Sequence, residues 1–200
     1  MKNVQFKISG LPMLLYVKNM VCDRCIMIVR QQLENFGFKV DEISLGKIEV
    51  EPNPDANQLK SIGDALGGLG FELIDKEKDQ LVEQIKTQII NLIHYSDLNG
   101  IHQSLTQLIA DKLNKDYAYL SRQFSDTEGI TIEKYIIQQK IEKVKELLEY
   151  GELNLNEIAF KMDYSSSAHL SAQFKSLTGL TPSKYKAATL NDRKPLDKVR

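Results

Sequence analysis

The C-terminal half of this 200-residue chain contains one segment twice, and that repeat limits its fold more than any other feature. LSRQF at Leu120–Phe124 recurs as LSAQF at Leu170–Phe174, a shift of 50. At the same shift Gly129-Ile130-Thr131 falls on Gly179-Leu180-Thr181 and Tyr135 on Tyr185. One residue shorter, Ile109-Ala110 falls on Ile158-Ala159, Leu113 on Met162 and Asn114 on Asp163. Each copy reads as an apolar helix with a small residue (Ala110, Ala159), then Asn or Asp four residues on, a polar turn, and a second helix starting near Tyr117 or Ser167. Asn and Asp tolerate the left-handed backbone of a tight inter-helix turn, and a small side chain lets two helices approach closely. This is the outline of a helix-turn-helix, with an ordinary αα-hairpin of a solenoid as the competing form. Two copies joined by one long helix, Thr131–Tyr150, are too few for a solenoid and suit a pair of DNA readers.

Helical periodicity runs through the whole of this half. Leu81, Ile85, Ile89, Leu92 and Ile93 make one apolar stripe, and Ile137, Ile141, Val144, Leu147 and Leu148 make another. Ser104 with Gln107 and Asn154 with Glu157 fit capping boxes, and Thr181-Pro182 fits an N-cap followed by Pro. Before residue 79 the pattern differs. Strands are predicted at Met13–Val17, Val40–Leu45, Lys47–Glu51 and Phe71–Asp75, and helices at Asp23–Phe36 and Gln58–Leu69. That order, βαββαβ, implies an α+β domain of ferredoxin-like, split-βαβ type over 1–78. An all-α domain follows over 79–188, and 189–200 reads as a flexible, frayed tail because it lacks periodicity.

With 42% apolar and 26% charged residues and a formal charge of −1, the chain is globular, which excludes a disordered, collagenous or disulfide-scaffold protein. No leader-like N-terminus and no apolar run near the ~18 residues that span a bilayer are present, so the expected location is the cytoplasm, with no membrane partner. Charge is divided unevenly. Residues 81–160 hold eight basic and twelve acidic side chains, whereas 161–200 hold eight and three. Phosphate attraction should therefore concentrate on the second unit, through Lys161, Lys175, Lys184 and Lys186.

Over Leu81–Lys186 the sequence resembles the AraC-type transcription regulators: KIEKVKELL at Lys140–Leu148, then NLNEIAFKMDYSS, HLSAQFK and TGLTPSKY follow the family signature in order. The resemblance implies two helix-turn-helices bridged by a long helix, with double-stranded DNA as partner. In such units the second helix lies in the major groove, and two on one linker enter successive grooves ~34 Å apart. With Leu120 and Phe124 inward, the first reader presents Tyr117, Ala118, Ser121 and Arg122. Arg122 is the candidate for bidentate contact with guanine, worth ~1–3 kcal/mol of discrimination. With Leu170 and Phe174 inward, the second presents Ser167, Ala168, His169, Ser171 and Ala172. Ala172 stands where the family often has Arg, which leaves methyl contact or shape readout. The bland alternatives are a surface ion pair for Arg122 and a solvated helix residue for His169. The near-neutral total charge suggests modest affinity per protomer and hence a homodimer, with RNA polymerase as a further partner.

Cys22 and Cys25, spaced C-x-x-C, fall at the turn between the first strand and first helix. Amide groups at a helix start and the neighbouring Arg24 would favour thiolate over thiol. Two thiolates without a nearby His suit a soft ion such as Cu(I) better than Mg²⁺ or Ca²⁺, and a closed zinc site would need four ligands. Over Leu11–Lys76 this domain resembles the heavy-metal-associated fold of copper chaperones and metal-transporting ATPases, whose M-x-C-x-x-C is matched by Met20–Cys25. That family usually has Gly and Thr where Asn19 and Val21 stand. A thioredoxin-like redox pair is a weaker alternative, since no Trp precedes the motif, and a degenerate domain kept for dimerisation is another. His94 and His102 flank a loop in the helical half and read as core or solvated residues.

No nucleophile-and-base pair, phosphate loop or paired catalytic carboxylates has usable spacing, so no enzyme is expected. The sequence thus predicts a DNA-binding transcription regulator needing no cofactor, with a soft metal ion at Cys22 and Cys25 as modulator. Two rivals predict different behaviour: a constitutive regulator, and a metal-trafficking protein whose helical half docks another protein.

Overall fold

The computed structural model describes residues 12–98, 103–188 and 193–199. Its first elements are β1 (Met13–Lys18), α1 (Asp23–Asn35), β2 (Lys39–Ser44), β3 (Lys47–Glu51), α2 (Ala56–Gly67) and β4 (Glu72–Leu73). The four strands pair antiparallel in the order β2-β3-β1-β4. Alternation sets the packing: Leu15 and Val17 of β1 and Ile48 and Val50 of β3 are buried in one cluster with Val29 and Leu33 of α1 and Ile62 and Leu66 of α2. β2 and β3 are joined through Leu45-Gly46, where the φ of +76° at Gly46 is cheap only for a residue without a side chain.

Several boundaries shift by one or two residues from the sequence reading, and two of the shifts have a clear local reason. α2 starts at Ala56 because the Asp55 side chain accepts from the Asn57 and Gln58 amides while Gln58 reaches back to the Asp55 amide. Gln58 is therefore the third residue of the helix and not the first. β4 is only Glu72–Leu73, since Phe71 and Ile74 are both buried at a spacing of three, out of step with a strand's period of two.

The second half is helical: α3 (Glu77–Ile90) running into a π-helical turn at Asn91–Tyr95, then α4 (Leu105–Leu113), α5 (Tyr117–Glu128), α6 (Ile132–Tyr150), α7 (Leu155–Lys161), α8 (Ser167–Thr178) and α9 (Pro182–Ala187). Chain contacts divide into two units between Glu83 and Gln84, inside α3 and a few residues beyond the change of composition. Leu81, Ile85, Ile89, Leu92 and Ile93 are all buried. In α6 the predicted stripe is only part of the buried surface. Ile141, Val144 and Leu148 are buried, Ile137 and Leu147 half-buried, and Tyr135, Ile136, Gln139, Lys140, Glu142 and Lys145 are buried as well. The reason is that α5, α8, α9 and the π-helical turn all pack on this helix.

The tail expected to fray is a correction. Residues 193–199 lie on α6: Arg193 pairs with Glu146 at 2.7 Å and Glu149 at 3.6 Å, the Lys194 amide donates to Glu142 at 3.0 Å, and Val199 is buried. A 3₁₀ turn at Leu196–Lys198 sits between these anchors. Periodicity could not find such a segment because it docks through its backbone and single side chains. The rest of the predicted tail, and His102, lie outside the described residues.

Candidate nucleic-acid interface

Both copies of the repeat fold alike. In the first, Ser104 caps α4, Asn114 takes the left-handed turn at φ +49°, and Asp116 caps α5. In the second, Asn154 and Glu157 form a complete capping box on α7, Asp163 takes φ +55°, and Ser166 caps α8. The small residues that allow close approach, Ala110 and Ala159, are both buried. Leu120, Phe124, Leu170 and Phe174 are each 0% exposed. Each second helix ends on a left-handed glycine, and the aromatic pairs behind them repeat too: Phe124–Tyr135 with ring centroids 5.5 Å apart and Phe174–Tyr185 at 5.4 Å.

On α5, Ala118 and Arg122 are exposed, and Arg122 has no ion pair among the described residues. Ser121 is half-buried. Tyr117, taken from the sequence as a base reader, is half-buried and donates its hydroxyl to Glu133 of α6. That bond holds the Glu133 carboxyl below the usual carboxylate range, while burial first and Glu133 second push the Tyr117 phenol upward. The sequence reading missed Tyr119, which is 45% exposed with the Lys115 ammonium 5.7 Å from its ring centre. Its alignment with His169 at the shift of 50 was the available signal.

On α8, Ala168, His169 and Ala172 are exposed, and Ser167 and Ser171 are half-buried. The Ser171 hydroxyl donates to the Ser167 carbonyl at 2.7 Å, so it is committed to its own helix. His169 Nδ1 lies 3.1 Å from the Ser165 hydroxyl, and its ring meets Tyr164 edge-on at 5.3 Å. Lys161, Lys175, Lys184 and Lys186 are all exposed.

Residues 109–188, spanning most of α4 through α9, match the family described as the Helix-turn-helix domain. Residues 109–188 form a helix-turn-helix domain. Among its relatives, the Msm operon regulatory protein of Streptococcus mutans is 33% identical over 84 residues, 42% of this chain and 30% of that protein. The xylose operon regulatory protein of Escherichia coli is 23% identical over 83% of this chain and 47% of that protein. A solved structure, the C-terminal domain of AraT from Geobacillus stearothermophilus, is 26% identical with a TM-score of 0.48, covering 60% of this chain and 94% of that one. The chain spans less than two thirds of the curated relatives it matches first. Those relatives are named as regulatory proteins.

The cysteine pair lies outside the helix-turn-helix domain. Cys22 is the N-cap of α1, and the two Sγ atoms are 3.3 Å apart and half-buried. The expected lowering at a helix start is overturned at Cys25, where burial is the largest influence and raises the thiol above its ordinary value. The backbone hydrogen bond with Val21 opposes this only in part. As ligands the two sulfurs would stand alone, since no group of three or more His, Cys, Asp or Glu side chains that could hold a metal occurs among the described residues.

Proposed function

We propose that the chain is a sequence-specific regulator of transcription that grips double-stranded DNA in the cytoplasm with α5 and α8 as its two readers. The observation that carries this reading is the duplicated helix–turn–helix, with Leu120, Phe124, Leu170 and Phe174 buried on the inner faces and Ala118, Arg122, Ala168 and Ala172 exposed on the outer ones. Arg122 on α5 is the base-reading side chain, with Ala118, Tyr119, Ala168, His169 and Ala172 completing the groove-facing surface. Lys161, Lys175, Lys184 and Lys186 hold phosphates. The names of two relatives, both operon regulatory proteins, support the regulatory role.

The deciding experiment is selection of duplexes from a random pool by the full-length protein, followed by binding at several salt concentrations. A selected site should be bound tightly, with Arg122→Ala relaxing preference at one base pair and Lys175→Ala with Lys184→Ala flattening the salt dependence. Failure to enrich any duplex would overturn the assignment.

We read the N-terminal unit as a ferredoxin-like split βαβ on the strength of its element order and antiparallel sheet. A second reading, that a soft ion such as Cu(I) at Cys22 and Cys25 modulates DNA binding of a homodimer, is favoured by the proximity of the two sulfurs. Its test is operator affinity with and without Cu(I), beside the double-serine variant. Equal affinities in all arms would remove the modulation and leave DNA binding standing.

A further inference from the structure

The repeat places chemically different groups at equivalent positions of the two readers. At the shift of 50, Ala118 corresponds to Ala168, Tyr119 to His169 and Arg122 to Ala172. All six are exposed, and the pairs 118/122 and 168/172 stand four residues apart, each on one strip of its helix. One strip ends in a guanidinium and the other is two methyl groups.

Several polar side chains around the methyl strip are engaged within the protein. Ser171 donates to the Ser167 carbonyl at 2.7 Å, Ser166 accepts from the His169 amide at 3.1 Å, and Gln173 accepts from the Tyr164 hydroxyl at 2.6 Å. His169 Nδ1 is taken up with Ser165. On its exposed strip α8 offers two alanine methyls beside the far edge of one imidazole. In the major groove the matching apolar feature is the C5-methyl of thymine, whereas an arginine fork matches guanine O6 and N7. Charge is divided in the complementary sense. Around α5 Asp116 and Asp126 are exposed together with Lys112 and Lys115, whereas around α8 Lys161 and Lys175 are exposed together with Asp163, and Lys184 and Lys186 are exposed on α9.

We infer that the second reader selects thymine through the methyl groups of Ala168 and Ala172, where the first selects guanine through Arg122. The second unit holds most of the phosphate contacts. This rests on the DNA-binding reading above and adds to it which bases each half-site must contain.

Base analogues in the selected duplex test it on the full-length protein. Replacing thymine by uracil in one half-site deletes only methyl groups and should cost about fourfold in affinity per contacted methyl. Replacing guanine by 7-deazaguanine in the other half-site deletes N7 and should cost roughly tenfold. Arg122→Ala should abolish the 7-deazaguanine effect while keeping the uracil effect, and Ala168→Gly combined with Ala172→Gly should do the reverse. Ala172→Arg should shift the second half-site toward guanine on reselection. Equal affinity for uracil and thymine duplexes, or a required guanine in both half-sites for the unaltered protein, would overturn the division of labour with DNA binding intact. Failure to select any duplex would overturn the DNA-binding reading itself, a distinct result.

Discussion

The Lys140 ammonium of α6 donates to the carbonyl of Met162, the residue that closes α7, at 2.8 Å. The same group lies 5.4 Å from the Tyr164 ring centre and 4.0 Å from Asp163, so one buried cation holds the turn of the second helix-turn-helix from three sides. Burial is the main influence on this lysine and pulls its pKa below the ordinary value, with Asp163 opposing. Replacing it by Met keeps the aliphatic stem but leaves the Met162 carbonyl without its donor. We expect Lys140→Met to cost about 1–3 kcal/mol of stability in urea unfolding and to weaken operator binding in parallel.

The two left-handed turns carry a second prediction. Asn114 and Asp163 hold φ of +49° and +55°, a region that costs a side chain with Cβ about 1–2 kcal/mol and that Asn and Asp offset locally. Asn114→Ala and Asp163→Ala should each lose about 1 kcal/mol, while Asn114→Gly and Asp163→Gly should stay close to the parent. Chemical denaturation of the four variants distinguishes backbone strain from any loss of side-chain contact.

Much of this was legible in the sequence because repetition and capping are local. Asn114, Asp163, the Asn154–Glu157 box and Thr181-Pro182 each act within four residues of themselves, and the structure uses them as read. What was not legible depends on partners distant in the chain. Tyr117 looks like a groove contact until Glu133 appears beside its hydroxyl, and Gln139 looks like a surface residue until His94, Tyr135 and Leu196 surround it. The Cys25 thiol is likewise set by burial more than by the helix start.

His94 gives a prediction for acid. Its ring bonds Gln139 at 2.9 Å, and burial lowers its pKa from 6.5 to about 4, outweighing that bond. The unfolded chain therefore binds a proton between pH 6.5 and 4 that the folded protein refuses, so stability falls as pH drops through this window. Above 6.5 this group contributes no slope, and below 4 its penalty is constant. The full loss is on the order of 3 kcal/mol. His94→Gln should flatten the fall between pH 6.5 and 4 relative to the parent, read as the difference between two sets of unfolding curves.

A raised thiol at Cys25 implies slow chemistry. With its pKa above the ordinary value, less thiolate is present near neutral pH than in an unstructured cysteine. Alkylation by iodoacetamide at pH 7.5 should be slower for Cys25 in a Cys22→Ser background than for a free thiol, and should approach it in urea. A rate equal to or above the free thiol in the folded protein would restore the activated-thiolate expectation.

The docked tail yields the last prediction. Four contacts bind it to α6: Arg193 to Glu146 and Glu149, the Lys194 amide to Glu142, the Leu196 carbonyl to Gln139, and the buried Val199. The Arg193 pairs are a third exposed on the arginine side and contribute little after solvent screening. Val199 and the two backbone bonds to buried or half-buried groups matter more. Ending the chain at Ala188 removes all four, and we expect it to cost on the order of 2–3 kcal/mol. Val199→Asp in the full chain should reproduce most of that loss, because the buried side chain is its largest single part. Arg193→Ala should cost under about 0.5 kcal/mol. Thermal unfolding of the three variants separates a docked segment from a loose one, since a tail that merely covered α6 would leave all three melting with the parent.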